Sequence, residues 1–176
     1  MVMKKESARM QFIGFALTVL GGTLLHFLYR WTNKSLLIAP FSAVNESTWE
    51  HMKLMYFPLI IFALIQSRFL KNHKSFWCVK LVGIMTGLIL IPVLFYTYNG
   101  AFGKSSSTVN IAFFILPAAA VFLLETYLFK KNSLQCKYPW LAFVIICLIG
   151  VLFVTFTFVV PHIPLFQNPL NRTYGL

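Results

Sequence analysis

Residues 76–98, FWCVKLVGIMTGLILIPVLFYTY, decide the fold: in this whole run the only charged side chain is Lys80. About 20 apolar residues in helical conformation are enough to cross the hydrocarbon core of a bilayer. A core-facing helix of a soluble domain would carry a polar stripe opposite its apolar one, whereas this run is apolar all round. A strand of a membrane barrel would alternate with period two, and this run does not. Lipid offers the backbone no hydrogen-bond partners, so the segment must satisfy its own N–H and C=O groups as a helix.

Working outward, four further runs read the same way, at 10–29, 54–70, 108–129 and 140–160. The run at 54–70 is the shortest and carries Pro58, Gln66 and Ser67. With 59% hydrophobic and 11% charged residues, the chain lies outside the range in which a soluble domain of this size could hide its apolar surface. The expectation is therefore an all-α, polytopic transmembrane helical bundle of about five spans, forming a single membrane domain over residues 1–176. Tyr29, Trp31, Trp77, Tyr96, Tyr98, Tyr138 and Trp140 cluster at the run ends, as an interfacial aromatic belt requires.

The net charge of +11 invites a nucleic-acid reading, but the basic residues sit in short groups between apolar runs and form no stripe or patch. The lipid bilayer is the partner they fit; the sequence leaves any protein partner open. Lys4, Lys5, Arg9, Arg68, Lys71, Lys74, Lys80, Lys130, Lys131 and Lys137 fall on one side, against Arg30, Lys34, Lys53, Lys104 and Arg172 on the other. The positive-inside rule then places the N-terminus in the cytoplasm and, with five spans, the C-terminus outside. The first run lacks a small-residue cleavage site after Leu25 and is read as a retained span. Of Cys78, Cys136 and Cys147, no two fall on the outer side, so no disulfide is expected.

Gly14, Thr18 and Gly22 recur every four residues, as do Gly83 and Gly87, and such stripes let helix backbones approach closely. His26 continues the first stripe and is expected to point into the bundle near its outer end. Pro92 and Pro117 each remove a backbone donor inside a span, which opens room between helices for a cavity. Glu125, about a turn from the end of the fourth run, has Lys80, Lys130 or the interface within reach.

The strongest local signal is Ala43-Val44-Asn45-Glu46-Ser47-Thr48-Trp49-Glu50-His51-Met52-Lys53, which holds two of the four acidic residues and one of the four histidines. Ser47-Thr48-Trp49-Glu50 matches a capping box, with Glu46 adding negative charge at a helix start. The same residues also suit chemistry. Were the helix to begin earlier, Glu46 and Glu50 would share a face beside His51, and carboxylate and imidazole are ligands for zinc or another divalent metal. His26 and His162 map to the same membrane face, while His73 is assigned to solvent on the other. Candidate metal ligands are thus His26, Glu50, His51 and His162, and candidate catalytic residues Glu46, Glu50 and His51. The chemistry would be metal-assisted hydrolysis, or acid–base catalysis without an ion. A small-solute transport or binding subunit is the alternative, with Thr86, Thr155 and Thr157 as its few mid-span polar groups, and a membrane accessory protein a third.

Residues 161–175 hold three prolines and no helical period; Asn168-Pro169 is expected to turn the tail back over the outer face, covering Leu165 and Phe166. The sequons at Asn33, Asn45 and Asn171 are read as chance.

His26-Phe27-Leu28-Tyr29-Arg30-Trp31, the Asn45-Glu46-Ser47-Thr48-Trp49-Glu50-His51 segment, Tyr96-Thr97-Tyr98 and Pro161-His162-Ile163-Pro164 together resemble an uncharacterised bacterial membrane-protein family of unknown function. The resemblance implies a bacterial cytoplasmic-membrane location and supplies no activity. It also implies acidic residues where this chain has Asn110 and Asn168.

Overall fold

The computed structural model describes residues 2–70, 73–131 and 134–176, and the side chains from residue 8 onward. Lys71, and the side chains of Lys4 and Lys5, lie outside the described residues. Five helices follow in order, α1 (Val2–Trp31), α2 (Thr48–Phe69), α3 (Phe76–Phe102), α4 (Ser107–Lys131) and α5 (Pro139–Phe158), then a 3-10 turn at Pro164–Phe166. Every helix is long and apolar enough to cross a membrane, and no strand occurs among the described residues.

Helix α2 is the axis of the bundle, packing against the other four, and it is the most buried of the five. Outward positions stay apolar: Phe12 is 71% exposed and Leu123 71%. A bundle apolar both inside and out is compatible with lipid as its solvent. The expected glycine stripes do face neighbours. A Cβ at Gly14 would run into Phe62 and Phe122, one at Gly22 into Phe114, and one at Gly83 into the Glu125 side chain.

The second span begins six residues before the expected start at residue 54, at Thr48. Its polar first turns are admitted because their groups pair internally. Lys53, with no exposed surface, gives its ammonium to Glu50 Oε2 at 2.7 Å, to the Ala39 carbonyl at 2.9 Å and to Thr157 Oγ1 of α5 at 3.1 Å, which uses all three donors. Ser47 is the N-cap, its hydroxyl accepting from the Glu50 N–H. The other half of the capping box is not made. Glu50 reaches back to the Val44 N–H, and the Ser47 N–H goes to Asn45 Oδ1. Ser47→Ala is expected to cost about 1 kcal/mol, read as a lower melting temperature in detergent; an unchanged melt would show the cap to be dispensable.

At the far end of the bundle Lys80 meets Glu125 Oε2 at 2.5 Å, both buried, with the Phe62, Phe76, Phe122 and Phe129 rings 5.4–5.9 Å from the ammonium. Among the described side chains, Lys53 and Lys80 are therefore interior and are not loop charges. Two expectations are corrected at this end. Cys78 and Cys136 are joined as a disulfide, because the turn after α4 returns beside the start of α3, where Ser75 Oγ also donates to the Leu134 carbonyl. His73 is not a solvent residue; its ring is half-buried against Phe129, centroids 5.0 Å apart.

Candidate metal centre

The turn that ends α1 sets the site. Asn33 and Lys34 adopt positive φ (51° and 59°), and the Lys34 N–H bonds the Tyr29 carbonyl while the Asn33 N–H bonds that of Arg30, the paired pattern that stops a helix and reverses the chain. The returning loop is then stapled to α1. Ser42 Oγ accepts from the Tyr29 N–H and donates to the Leu25 carbonyl, a side chain set into the helical ladder at the turn that carries His26 and Arg30.

This brings Glu46 of the loop between α1 and the first turn of α2. Glu46 Oε2 lies 3.3 Å from His26 Nε2 and 3.8 Å from His51 Nε2, and Arg30 donates to Glu46 Oε1 at 2.9 Å. The three side chains His26, Glu46 and His51 are each about a quarter exposed, and their candidate ligand atoms all lie within 4.8 Å of one another. Among the described residues this is the one such grouping.

Hydrogen bonding fixes the state of each ring. His51 Nδ1 is 2.9 Å from the Ser47 carbonyl, which can only accept, so the proton of a neutral ring sits on Nδ1 and the Nε2 lone pair faces Glu46. A histidine that ligates a metal is held in the same way, its other nitrogen donating to a carbonyl or carboxylate. His26 Nε2 donates to Glu46, while its Nδ1 is buried without a partner. To ligate, His26 must move its proton to Nδ1.

The Glu46 carboxyl is held below its ordinary value of 4.5, chiefly by the hydrogen bond from His26; burial opposes the shift, and the charges of His26, His51 and Arg30 add to it. A depressed carboxyl pKa stabilises the fold at pH values above the ordinary one, and that contribution is lost as pH falls through the lowered value. The wild type should therefore melt above Glu46→Gln at neutral pH, with the gap closing as pH falls through the lowered carboxyl value. A gap that persists undiminished at pH values below that range would contradict this assignment.

Of the residues singled out in the sequence, the structure gathers His26, Glu46 and His51 and separates the rest. Glu50 points away into the bundle, consumed by Lys53 and Val44, because α2 starts at Thr48 and Glu46 and Glu50 do not share a helical face. His162 is exposed and packs on Tyr174, ring centroids 4.8 Å apart, with no place in the cluster. Arg30 was missed, although it stands four residues after His26 on the same face of α1. Of the mid-span hydroxyls, Thr86 and Thr157 donate to their own helices, and Thr155 faces outward.

The cluster opens on a cavity of about 610 Å³ between α1, α3 and α4. His26, Glu46, His51 and Asn110 lie in its wall, and most of the rest is apolar, including Val19, Ile91, Phe95, Ile111, Phe114 and Ile115. Ile91 and Phe95 of α3 stand within a turn of Pro92, and Asn110 to Ile115 of α4 lie within two turns before Pro117, where room was expected. Pro169 and Leu170 of the tail complete it. As expected, the tail turns back. Phe166 is buried against Trp49, ring centroids 4.5 Å apart, and Asn45 Nδ2 donates to the Gly175 carbonyl, so the loop that carries Glu46 is tied to the tail.

The description Family of unknown function (DUF6512) matches residues 1–176. Neither the curated proteins nor the solved structures contain a match.

Proposed function

We propose that this chain, which belongs to the DUF6512 family of unknown function, holds one divalent metal ion, zinc by its donor set, on His26, Glu46 and His51. The chain is read as a multi-pass protein of a bacterial cytoplasmic membrane with its N-terminus inside, which puts the site at the outer face. The observation that carries the reading is His51: its Nδ1 is anchored to the Ser47 carbonyl, and its free Nε2 is aimed at a carboxylate that a second imidazole also approaches. Without an ion, a lone pair facing a carboxylate oxygen at 3.8 Å gains nothing; with one between them, both are ligands.

Two imidazoles and one carboxylate leave a coordination position open, as in hydrolytic zinc sites, where bound water ionises near neutral pH. The cavity supplies a place for a substrate beside that position. Hydrolysis needs only water as its second reactant. The test is elemental analysis of the detergent-purified chain after equilibration with equimolar zinc and removal of free ion, beside Glu46→Gln. One zinc per chain, lost in the variant, is expected. Absence of zinc from the folded wild type would overturn the reading.

A further inference from the structure

We propose that the cavity takes one acyl chain of an anionic membrane amphiphile, with its charged head at the His26–Glu46–His51 site and its tail between α1 and α4. The proposal rests on the metal reading above and names the ligand class of the same site.

Charge selects the head. Arg30 neutralises the single negative charge of Glu46, so an added divalent ion leaves the site with an uncompensated double positive charge. In a poorly solvated place such a charge calls for an anion, and the vacant coordination position is where a phosphate or carboxylate oxygen binds. Asn110 agrees with that sign. Its Oδ1 is taken by the Ser105 hydroxyl, which leaves the NH₂ group, a donor, for the cavity. Arg30, bonded to Glu46 Oε1, is itself 63% exposed, so its remaining donors are free for a second oxygen of the same head.

Shape and polarity select the tail. The polar groups of the site gather at the helix-end side, and the wall beyond them is mostly apolar, with Val19 and Gly22 of α1, Ile91 of α3 and Ile111 to Ile115 of α4; the Thr23 hydroxyl, also in the wall, is taken by the Val19 carbonyl. About 610 Å³ falls within the roughly 300–1,000 Å³ of pockets that enclose molecules of some tens of atoms. Ile111, on the cavity wall, is also 60% exposed, and on the membrane reading lipid meets that surface. A chain already dissolved in the bilayer can therefore enter sideways without crossing water. A water-soluble anion would leave most of this wall unused.

The test uses the full chain in maltoside detergent, with zinc content measured first. Palmitate carrying a diazirine in its chain is photolysed with the zinc-loaded protein, and labelled residues are mapped by mass spectrometry. Labels on Val19, Ile111 or Ile115, competed by hexadecyl phosphate and not by inorganic phosphate or hexadecanol, are the expected result. Ile111→Trp, which fills the cavity and touches no ligand, should keep its zinc and lose labelling at least tenfold. Equal competition by inorganic phosphate would show a free-anion site and overturn the lipid assignment, as would labelling undiminished in Ile111→Trp. Zinc bound with no label in the cavity overturns this inference alone; no zinc bound overturns the metal reading and this inference with it.

Discussion

His51→Ala protein is expected to bind zinc more than 100-fold more weakly than the wild type while remaining folded. Changes to groups that only orient a ligand cost about 10–100-fold in affinity. Removing the ligand itself must cost more, because His26 and Glu46 alone leave the ion mostly in water. The fold should survive, since His51 is partly exposed and its hydrogen bond is to the Ser47 carbonyl, while the Ser47 hydroxyl still caps α2. Competition against a chelator of known zinc affinity reads the change, with the metal-free melting temperature as the control for folding. Unchanged affinity would remove His51 from the ligand set. Ser47→Ala separates cap from ligand, because it should lower the melt and leave zinc affinity near that of the wild type.

Lys80→Met is expected to produce the largest loss of stability, about 3–5 kcal/mol, the usual cost of stranding one charge of a buried pair. Glu125 has no exposed surface, and its carboxylate lies against Gly83. With the ammonium gone, the carboxylate is left with the neutral, buried Gln11 side chain and a ring of phenylalanines, which carry no balancing charge. Replacing both partners, as Lys80→Met with Glu125→Leu, removes the stranded charge and should recover most of the loss. Thermal melts in the same detergent compare the two. A double variant as unstable as the single one would mean that packing, and not charge, dominates at this position. Both variants should retain wild-type zinc binding, since the pair lies at the opposite end of the bundle from Glu46.

What the sequence made legible follows from which forces are local. Hydropathy located all five helices, since being long and apolar enough to cross a bilayer is a property of each segment by itself. The spacing of Gly14, Thr18 and Gly22 placed His26 on the inner face, and Asn168-Pro169 marked the turn of the tail. The partition of the acidic segment was not legible. Glu46 and Glu50 stand four residues apart with similar neighbours, and their fates diverge because Lys53 is held by Ala39 and by Thr157, the latter 104 positions away on α5. The Ser42 staple and the Cys78–Cys136 pairing depend in the same way on distant chain segments arriving together. Arg30 could have been found, since helical spacing alone puts it one turn beyond His26.

The measurement closest to the central claim is X-ray absorption at the zinc edge of the loaded protein, repeated on His26→Ala. The account predicts a first sphere of nitrogen and oxygen at about 2.0–2.2 Å, with the outer scattering of two imidazoles, falling to one in the variant. A spectrum without imidazole scattering, or with sulfur at about 2.3 Å, would place the ion elsewhere and contradict the site.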